Sequence, residues 1–330
     1  MAITTNVTST HLTRSELWSS QLKEVLQDAT DGIGYVDWLT EFPDGDQFTI
    51  PSIGEGTVRD YSENDEITFD SLDTGEFTFA ITEYKSSGNY ITKKARQDAY
   101  YSAQLESSFV PKQARALEEN LVSDIYGLAG SGGGIGGVGT GQTANDPNSI
   151  NGAAHRYAGT AVTPGNDAMA VGDIAKALFA LKRANVPDSN LIAVVDPSVE
   201  FAINTLGVFT GFTSENQRWD DVVENGISNG MRFSKNIYGF DVYVSNYLAR
   251  TTTATDVGSI TAGNGVNNIF FSAAGPDILP FKGAWRQAPE VEGGYNYLKQ
   301  REEYVTTARY GLKLYRPENL VVIVTDATSV

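Results

Sequence analysis

Few residues in this chain have the types and spacing that chemistry requires. The densest signal is the glycine run at 130–141, in which Gly132, Gly134 and Gly137 match G-x-G-x-x-G. That motif cradles a pyrophosphate only when a strand precedes it and a helix follows, so that backbone N–H groups and a helix N-terminus face the phosphates. Here a helical pattern precedes the glycines and a polar stretch follows, and no Gly-Lys-Ser/Thr is present. A run this rich in glycine matches the motif by composition alone. The two histidines, His11 and His155, fall in polar segments with no partner at metal-ligand spacing. With no cysteine, disulfides and thiolate zinc sites are excluded. A Ser-His-Asp triad would need one of these histidines as its base, and neither lies near a G-x-S-x-G elbow. Both are therefore expected to be exposed loop residues. Asp220, Asp221 and Glu224 lack the glycine and the alternate spacing of an EF-hand loop, and read as a solvated turn. Carboxylates are plentiful enough that composition leaves a glycosidase pair open. Tyr100, Tyr101, Tyr295 and Tyr297 could stack on bases, but without interleaved basic residues they read as buried or interfacial. No catalytic residue, cofactor or metal ligand is expected.

The 330 residues can bury a full core, in two subdomains. At 41% apolar and 20% charged the chain belongs with folded globular proteins. Its 41 acidic residues against 24 basic give a net charge of −17. That balance excludes a protein that wraps DNA by neutralising phosphates, and one that binds an anionic membrane. No apolar run is long enough to span a bilayer, and the start lacks the pattern of a secretory signal. The absence of cysteine fits a reducing cytoplasm.

The order of elements carries more information than any motif. The first dozen residues are polar and read as an arm, followed by a helix over 13–28 with Leu17, Trp18, Leu22, Val25 and Leu26 at helical spacing. From 48 to 91 the period changes to two, with Ile67, Phe69, Phe77, Phe79 and Ile81 alternating with polar residues. Asp73-Thr74-Gly75 reads as a turn, so this region is expected to be a long antiparallel hairpin. A long helix is expected over 95–128, with Leu117, Leu121, Ile125 and Leu128 on one face. Pro111 either kinks it or starts its main segment. The polar, glycine-rich connector then reaches about residue 166. Beyond it come a helix over 171–184, with Ile174, Leu178 and Leu181 inward, and a strand over 191–195. A helix capped by Asp196 with Pro197 at its first position follows. Further strands are expected over 238–245, 268–272, 303–315 and 320–325.

The hairpin carries Asp60, Glu63, Asp65, Glu66, Asp70, Asp73, Glu76 and Glu83, with no Lys or Arg among residues 60–83. By itself this is a solvated arm kept from edge-to-edge pairing by its charge.

This order resembles the HK97-like capsid fold of tailed bacteriophages. The local matches are Ile50-Pro51-Ser52-Ile53-Gly54, Ser123-Asp124-Ile125-Tyr126-Gly127-Leu128, Val194-Val195-Asp196-Pro197 and Gly239-Phe240-Asp241-Val242-Tyr243-Val244-Ser245-Asn246. The layout is similar to that of T7-like short-tailed phages. The resemblance implies an α+β fold with an N-terminal arm at 1–47, an extended loop at 48–91, and the spine helix and Gly-rich loop at 92–166. An axial domain at 167–262 and returning strands at 263–330 complete it. It implies a major capsid protein that assembles into the hexamers and pentamers of an icosahedral shell around double-stranded DNA. Scaffolding protein, portal and a decoration protein are the implied partners, with assembly in the host cytoplasm and residence in the virion, and with no membrane. The acidic arm would then dock on a neighbouring subunit, with Lys112, Arg115, Arg301 and Arg309 as candidate receivers. Some family members cross-link a loop Lys to an Asn of another subunit. No Lys lies between Asp60 and Glu83, so no such cross-link is expected. Like charge on an inner face would leave the packed genome free to exit. Two other readings stand beside this one. An encapsulin-like nanocompartment shell would share the fold but hold a protein cargo, and a soluble α/β enzyme would use a pocket near Gly130.

Overall fold

The computed structural model describes residues 31–39, 47–53, 58, 60, 63, 66, 74–98, 102–130, 149–161, 167–205, 237–250, 260 and 263–327. The expected helix at 13–28, the glycine run at 131–141, His11, Tyr100, Tyr101, Asp220, Asp221 and Glu224 lie outside these residues. A 3₁₀ turn, Asp31–Tyr35, leads into β1 (Val36–Leu39), followed by β2 (Gln47–Ile53), β3 (Thr74–Ala80) and β4 (Glu83–Thr92). Helices α1 (Lys93–Asp98) and α2 (Ser102–Gly127) come next, then the short strands β5 (Ser149–Ile150), β6 (Ala153–Ala154) and β7 (Arg156–Ala158). The order continues α3 (Val171–Arg183), β8 (Leu191–Val195), α4 (Pro197–Thr205), β9 (Phe240–Val244) and β10 (Gly265–Ser272). It ends with β11 (Phe281–Asn296), β12 (Arg301–Leu314) and β13 (Val321–Asp326).

Five strands form a mixed sheet in the order β7-β13-β10-β8-β9. Successive side chains on a strand point to opposite faces, and here both faces are covered. Leu191, Ala193, Val195, Phe270, Val321 and Ile323 pack with Ile174, Ala177, Ala180 and Leu181 of α3. Ile192, Val194, Ile269, Phe271, Val322 and Val324 pack with Leu117, Leu121, Val122, Ile125 and Tyr126 of α2 on the other side. Double burial explains why these strands read as unbroken apolar runs. Asn268, at the centre of the sheet, has its amide bonded on both sides, as burial demands. Asn268 donates to Ile323 O at 3.0 Å and Thr325 Oγ1 at 2.8 Å, and accepts the Asp196 N–H at 2.9 Å. Asp196 in turn caps α4, its Oδ2 accepting the Ser198 N–H at 3.0 Å.

Two expectations change, and one pair of alternatives narrows. The turn expected at Asp73-Thr74-Gly75 is not there: Thr74 and Gly75 begin β3 and pair with Ile53 and Ser52 of β2. This register sets Phe77 opposite Ile50 and Phe79 opposite Phe48, matching apolar positions across the pair. The loop of the hairpin therefore lies between Ile53 and Thr74, and residues 83–92 form a separate strand paired with β12. Of the two courses open at Pro111, the helix does not begin there: α2 runs through it. Last, His155 is fully buried rather than exposed. Its C=O accepts the Val322 N–H at 2.8 Å where β7 joins the sheet, and its Nδ1 lies 3.0 Å from Ala153 O. Burial holds its pKa below the ordinary histidine value.

Candidate assembly surfaces

A second sheet, in the order β1-β11-β12-β4, is built around the long β11–β12 hairpin. Thr306, Ala308 and Tyr310 of β12 are buried on the face that meets α2. Gln113 of α2 is buried there, donating to Tyr304 O at 2.9 Å and accepting from Thr306 Oγ1 at 2.8 Å. Further along, the Tyr310 hydroxyl donates to Asp124 Oδ2 at 2.6 Å. Lys85 of β4 joins this group, 2.8 Å from Glu83 and 3.3 Å from Asp124. Trp285, paired with Tyr310, stacks on Trp38 of β1 at 4.9 Å between ring centres.

The β2–β3 hairpin is rooted on the opposite face. Phe79 and Ile81 are buried against Ala284, with Phe77 and Leu39 at the margin. Gly311 makes this approach possible, because a Cβ there would lie 2.7 Å from Ala80 O. Lys313 Nζ donates to Thr78 O at 2.6 Å, and Phe77 meets Tyr315 edge-on at 5.0 Å. From Phe79 to Phe77 the arm thus passes along β12 from Gly311 towards Tyr315 and leaves past that end. Asp60, Glu63, Glu66 and Glu76 are exposed, and Asp65, Asp70 and Asp73 lie outside the described residues.

The candidate receivers do not form one patch. Lys112 is exposed on α2, and Arg115 on the same helix is engaged by Glu119 at 3.0 Å. Arg301 and Arg309 are on β12 at positions that alternate with those facing α2, hence on the opposite face. Arg301 pairs with Glu303 and lies over the Tyr90 ring at 4.2 Å. The hydrogen bond from Arg301 holds the Glu303 carboxyl below the ordinary range.

A concavity that sequence reading misses lies at the far end of this sheet, where α1 meets the β11–β12 turn. It encloses about 480 Å³ and is lined by Ile91, Lys93, Arg96, Tyr295, Tyr297 and Glu302, among others. Its parts are about 200 residues apart in the chain, so no local pattern could reveal it; the only signal is the basic run Lys93-Lys94-Ala95-Arg96 in an acidic protein. Among the described residues no group of three His, Cys, Asp or Glu could hold a metal, and no helix is long and apolar enough to cross a membrane.

A family model described as phage capsid protein matches residues 75–323, from β3 to β13. None of the curated proteins compared matches the chain. Among solved structures, one from Mycobacterium phage Che8 is similar at 19% identity and TM-score 0.64, over 93% of this chain and 96% of that one. The capsid of cyanophage P-SCSP1u aligns at 14% identity and TM-score 0.66, over 93% and 91%. The cyanophage Pam1 capsid aligns at 13% identity and TM-score 0.60, over 96% and 99%. At these identities the structures establish a shared α+β fold, and the family match establishes kinship. The chain belongs to the phage capsid protein family and is a structural protein of the virion, not an enzyme.

Proposed function

We propose that this chain is the major capsid protein of a short-tailed phage. It forms the hexamers and pentamers of an icosahedral shell that holds double-stranded DNA. In this reading α2 is the spine of an HK97-like subunit and the β2–β3 hairpin is its extended loop. The five-stranded sheet with α3 and α4 is its axial domain. The observation that carries it is the arm. Its root is fixed by Phe79 and Ile81, while Val58, Asp60, Glu63 and Glu66 beyond the root are exposed. An isolated two-stranded ribbon is marginal in water, so such an arm gains its purpose from a neighbouring subunit. The acids of the arm, Asp60 to Glu76, are its contact residues, and scaffolding protein and portal assist assembly in the host cytoplasm. A decoration protein is a further partner in this reading. The shell carries no Lys–Asn cross-link through Lys85. The hydrogen bond that this amine donates to the Glu83 carboxylate raises its pKa, which keeps it protonated and a poor nucleophile.

Electron microscopy of the protein co-expressed with its neighbouring genes tests this. Closed, uniform shells with DNA inside are expected. Shells with protein cargo would point to a nanocompartment, and dispersed small particles under every condition would overturn the shell reading.

A further inference from the structure

We infer that the concavity between α1 and the β11–β12 turn binds a nucleotide whose base is unpaired. Along the sequence no basic residues interleave with Tyr295 and Tyr297, which argues against base stacking. The fold supplies what the sequence lacks. It seats α1 against the turn, where the Lys93 N–H donates to Gln300 O at 2.9 Å. Lys93 and Arg96 thereby line the same space as the two tyrosines. Lys94 and Lys299, each next to a lining residue in the chain, are exposed.

A nucleotide needs a platform for its base and a cation for its phosphate. The tyrosines are the platform. They meet edge-on at 4.9 Å, and Tyr297 is 78% exposed, which leaves its ring open to a planar partner. The platform is held in place, because Tyr295 Oη donates to Gln300 Oε1 at 3.1 Å and Gln300 Nε2 donates to Tyr297 O at 3.0 Å. Ile91, buried, adds apolar lining. Stacking on such a ring tolerates any base, since every base has a π-face. The lysines are the cation. Glu302, the one lining carboxylate, is already paired with Arg96. Lys93 and Lys94 make no ion pair with any described residue, and lysine binds phosphate as a point charge. The volume, about 480 Å³, is within the range of small-ligand sites. Charge also decides on which side the ligand sits. The tyrosines border a second concavity of about 550 Å³, lined by Glu292 and Glu303 and, among the described residues, by no Lys or Arg. That space repels a phosphate. A duplex hides the faces of its bases, so the ligand is a free nucleotide or an unpaired stretch of a strand. The inference needs no shell.

Equilibrium dialysis of the full chain tests it, with deoxyadenylate as the probe. Saturable binding is expected, with deoxyadenosine and inorganic phosphate each at least about tenfold weaker, because each offers only half of the contact. Tyr297→Ala should weaken deoxyadenylate about tenfold, whereas Tyr297→Phe should keep it, because stacking uses the ring and not the hydroxyl. Lys93→Glu with Lys94→Glu should weaken it as well, and unchanged far-UV spectra check that each variant folds. A short oligodeoxyadenylate identifies the source: tighter binding than the mononucleotide points to an unpaired strand, and equal binding to a free nucleotide. No saturable binding overturns the proposal, as does phosphate binding as tightly as deoxyadenylate or binding indifferent to Tyr297→Ala. Tighter binding of the oligonucleotide as a duplex would leave only a phosphate contact, and tighter binding of polyglutamate would make this a site for an acidic peptide; either overturns it.

Discussion

Gly311→Ala tests whether the arm is anchored as described. A Cβ at this position would lie 2.7 Å from Ala80 O, 3.0 Å from Ile81 Cα and 3.1 Å from Phe79 Cε1. Two of these are backbone atoms, so no rotamer change relieves the contact. The arm can respond in two ways. It can shift on the sheet, at the usual cost of overpacking, about 1–3 kcal/mol. It can also release, exposing Phe79 and Ile81, which are 0% and 6% exposed. Release costs about 1.5–3 kcal/mol for each side chain, so the shift is the cheaper response. Replacing glycine also lowers the entropy of the unfolded chain, which returns about 0.4–1 kcal/mol. The net loss is then about 1–2 kcal/mol, localised to the root. Gly294 is the control: it lies on the same hairpin, and a Cβ there meets nothing within 4 Å. Gly294→Ala should be neutral or slightly stabilising. Hydrogen exchange read by mass spectrometry is the suitable assay, because it reports local opening in a chain too large for a safe two-state treatment. Exchange of residues 76–81 should speed up roughly tenfold per 1.4 kcal/mol. Protection in Gly311→Ala within a factor of two of wild type, or equal damage from Gly294→Ala, would refute this account of the root.

Four further outcomes follow from the packing and the charge. His155 has a folded pKa below its unfolded value, so the unfolded chain takes up a proton first as pH falls below about 6.5. Stability should be level above that pH and fall beneath it by up to about 1.4 kcal/mol per unit, and urea midpoints at pH 7.5 and 5.5 should differ less in His155→Gln. Gln113→Leu strands the buried Thr306 hydroxyl and removes a bridge from α2 to β12, which should cost about 1–3 kcal/mol, read as faster hydrogen exchange of residues 304–308. Asp196→Ala removes the α4 cap and should cost about 1 kcal/mol, with faster exchange confined to the first turn of that helix. Assembly yield, followed by light scattering, should peak at intermediate salt; a monotonic response over about 0.01–1 M would contradict the balance of repulsion and contact pairing.

How legible each element was depends on what its side chains face. β8, β10 and β13 are buried on both faces, so their apolar runs stood out. The apolar face of α2 and the Asp196-Pro197 start of α4 were likewise local signals. β11 was not legible. Its first four residues are buried but its distal half is exposed on both faces, and Pro289, Gly293 and Gly294 interrupt the pattern. The register shifts between Trp285 and Glu290 break its alternation as well. The period of two marks the arm as a hairpin, but the turn chemistry of Asp73-Thr74-Gly75 points to the wrong partner strand, because only tertiary pairing sets the register. His155 misled in the same way. A histidine in a polar stretch looks exposed until β7 is drawn into the sheet.

The charge of the chain acquires meaning only once the sheet is in place. A net charge of −17 makes copies repel at a distance, and the acids of the arm add to that repulsion. The basic residues that oppose it are few, and Arg115, Arg301 and Arg316 are engaged by carboxylates of their own chain. Lys93 and Lys94 are exposed and carry no such partner among the described residues. Broad repulsion opposed by few basic residues discriminates against misaligned contacts more than it strengthens the aligned one. For a subunit that must join many copies of itself in one orientation, that selectivity matters more than affinity, and it explains why an assembling protein carries so large a charge of one sign.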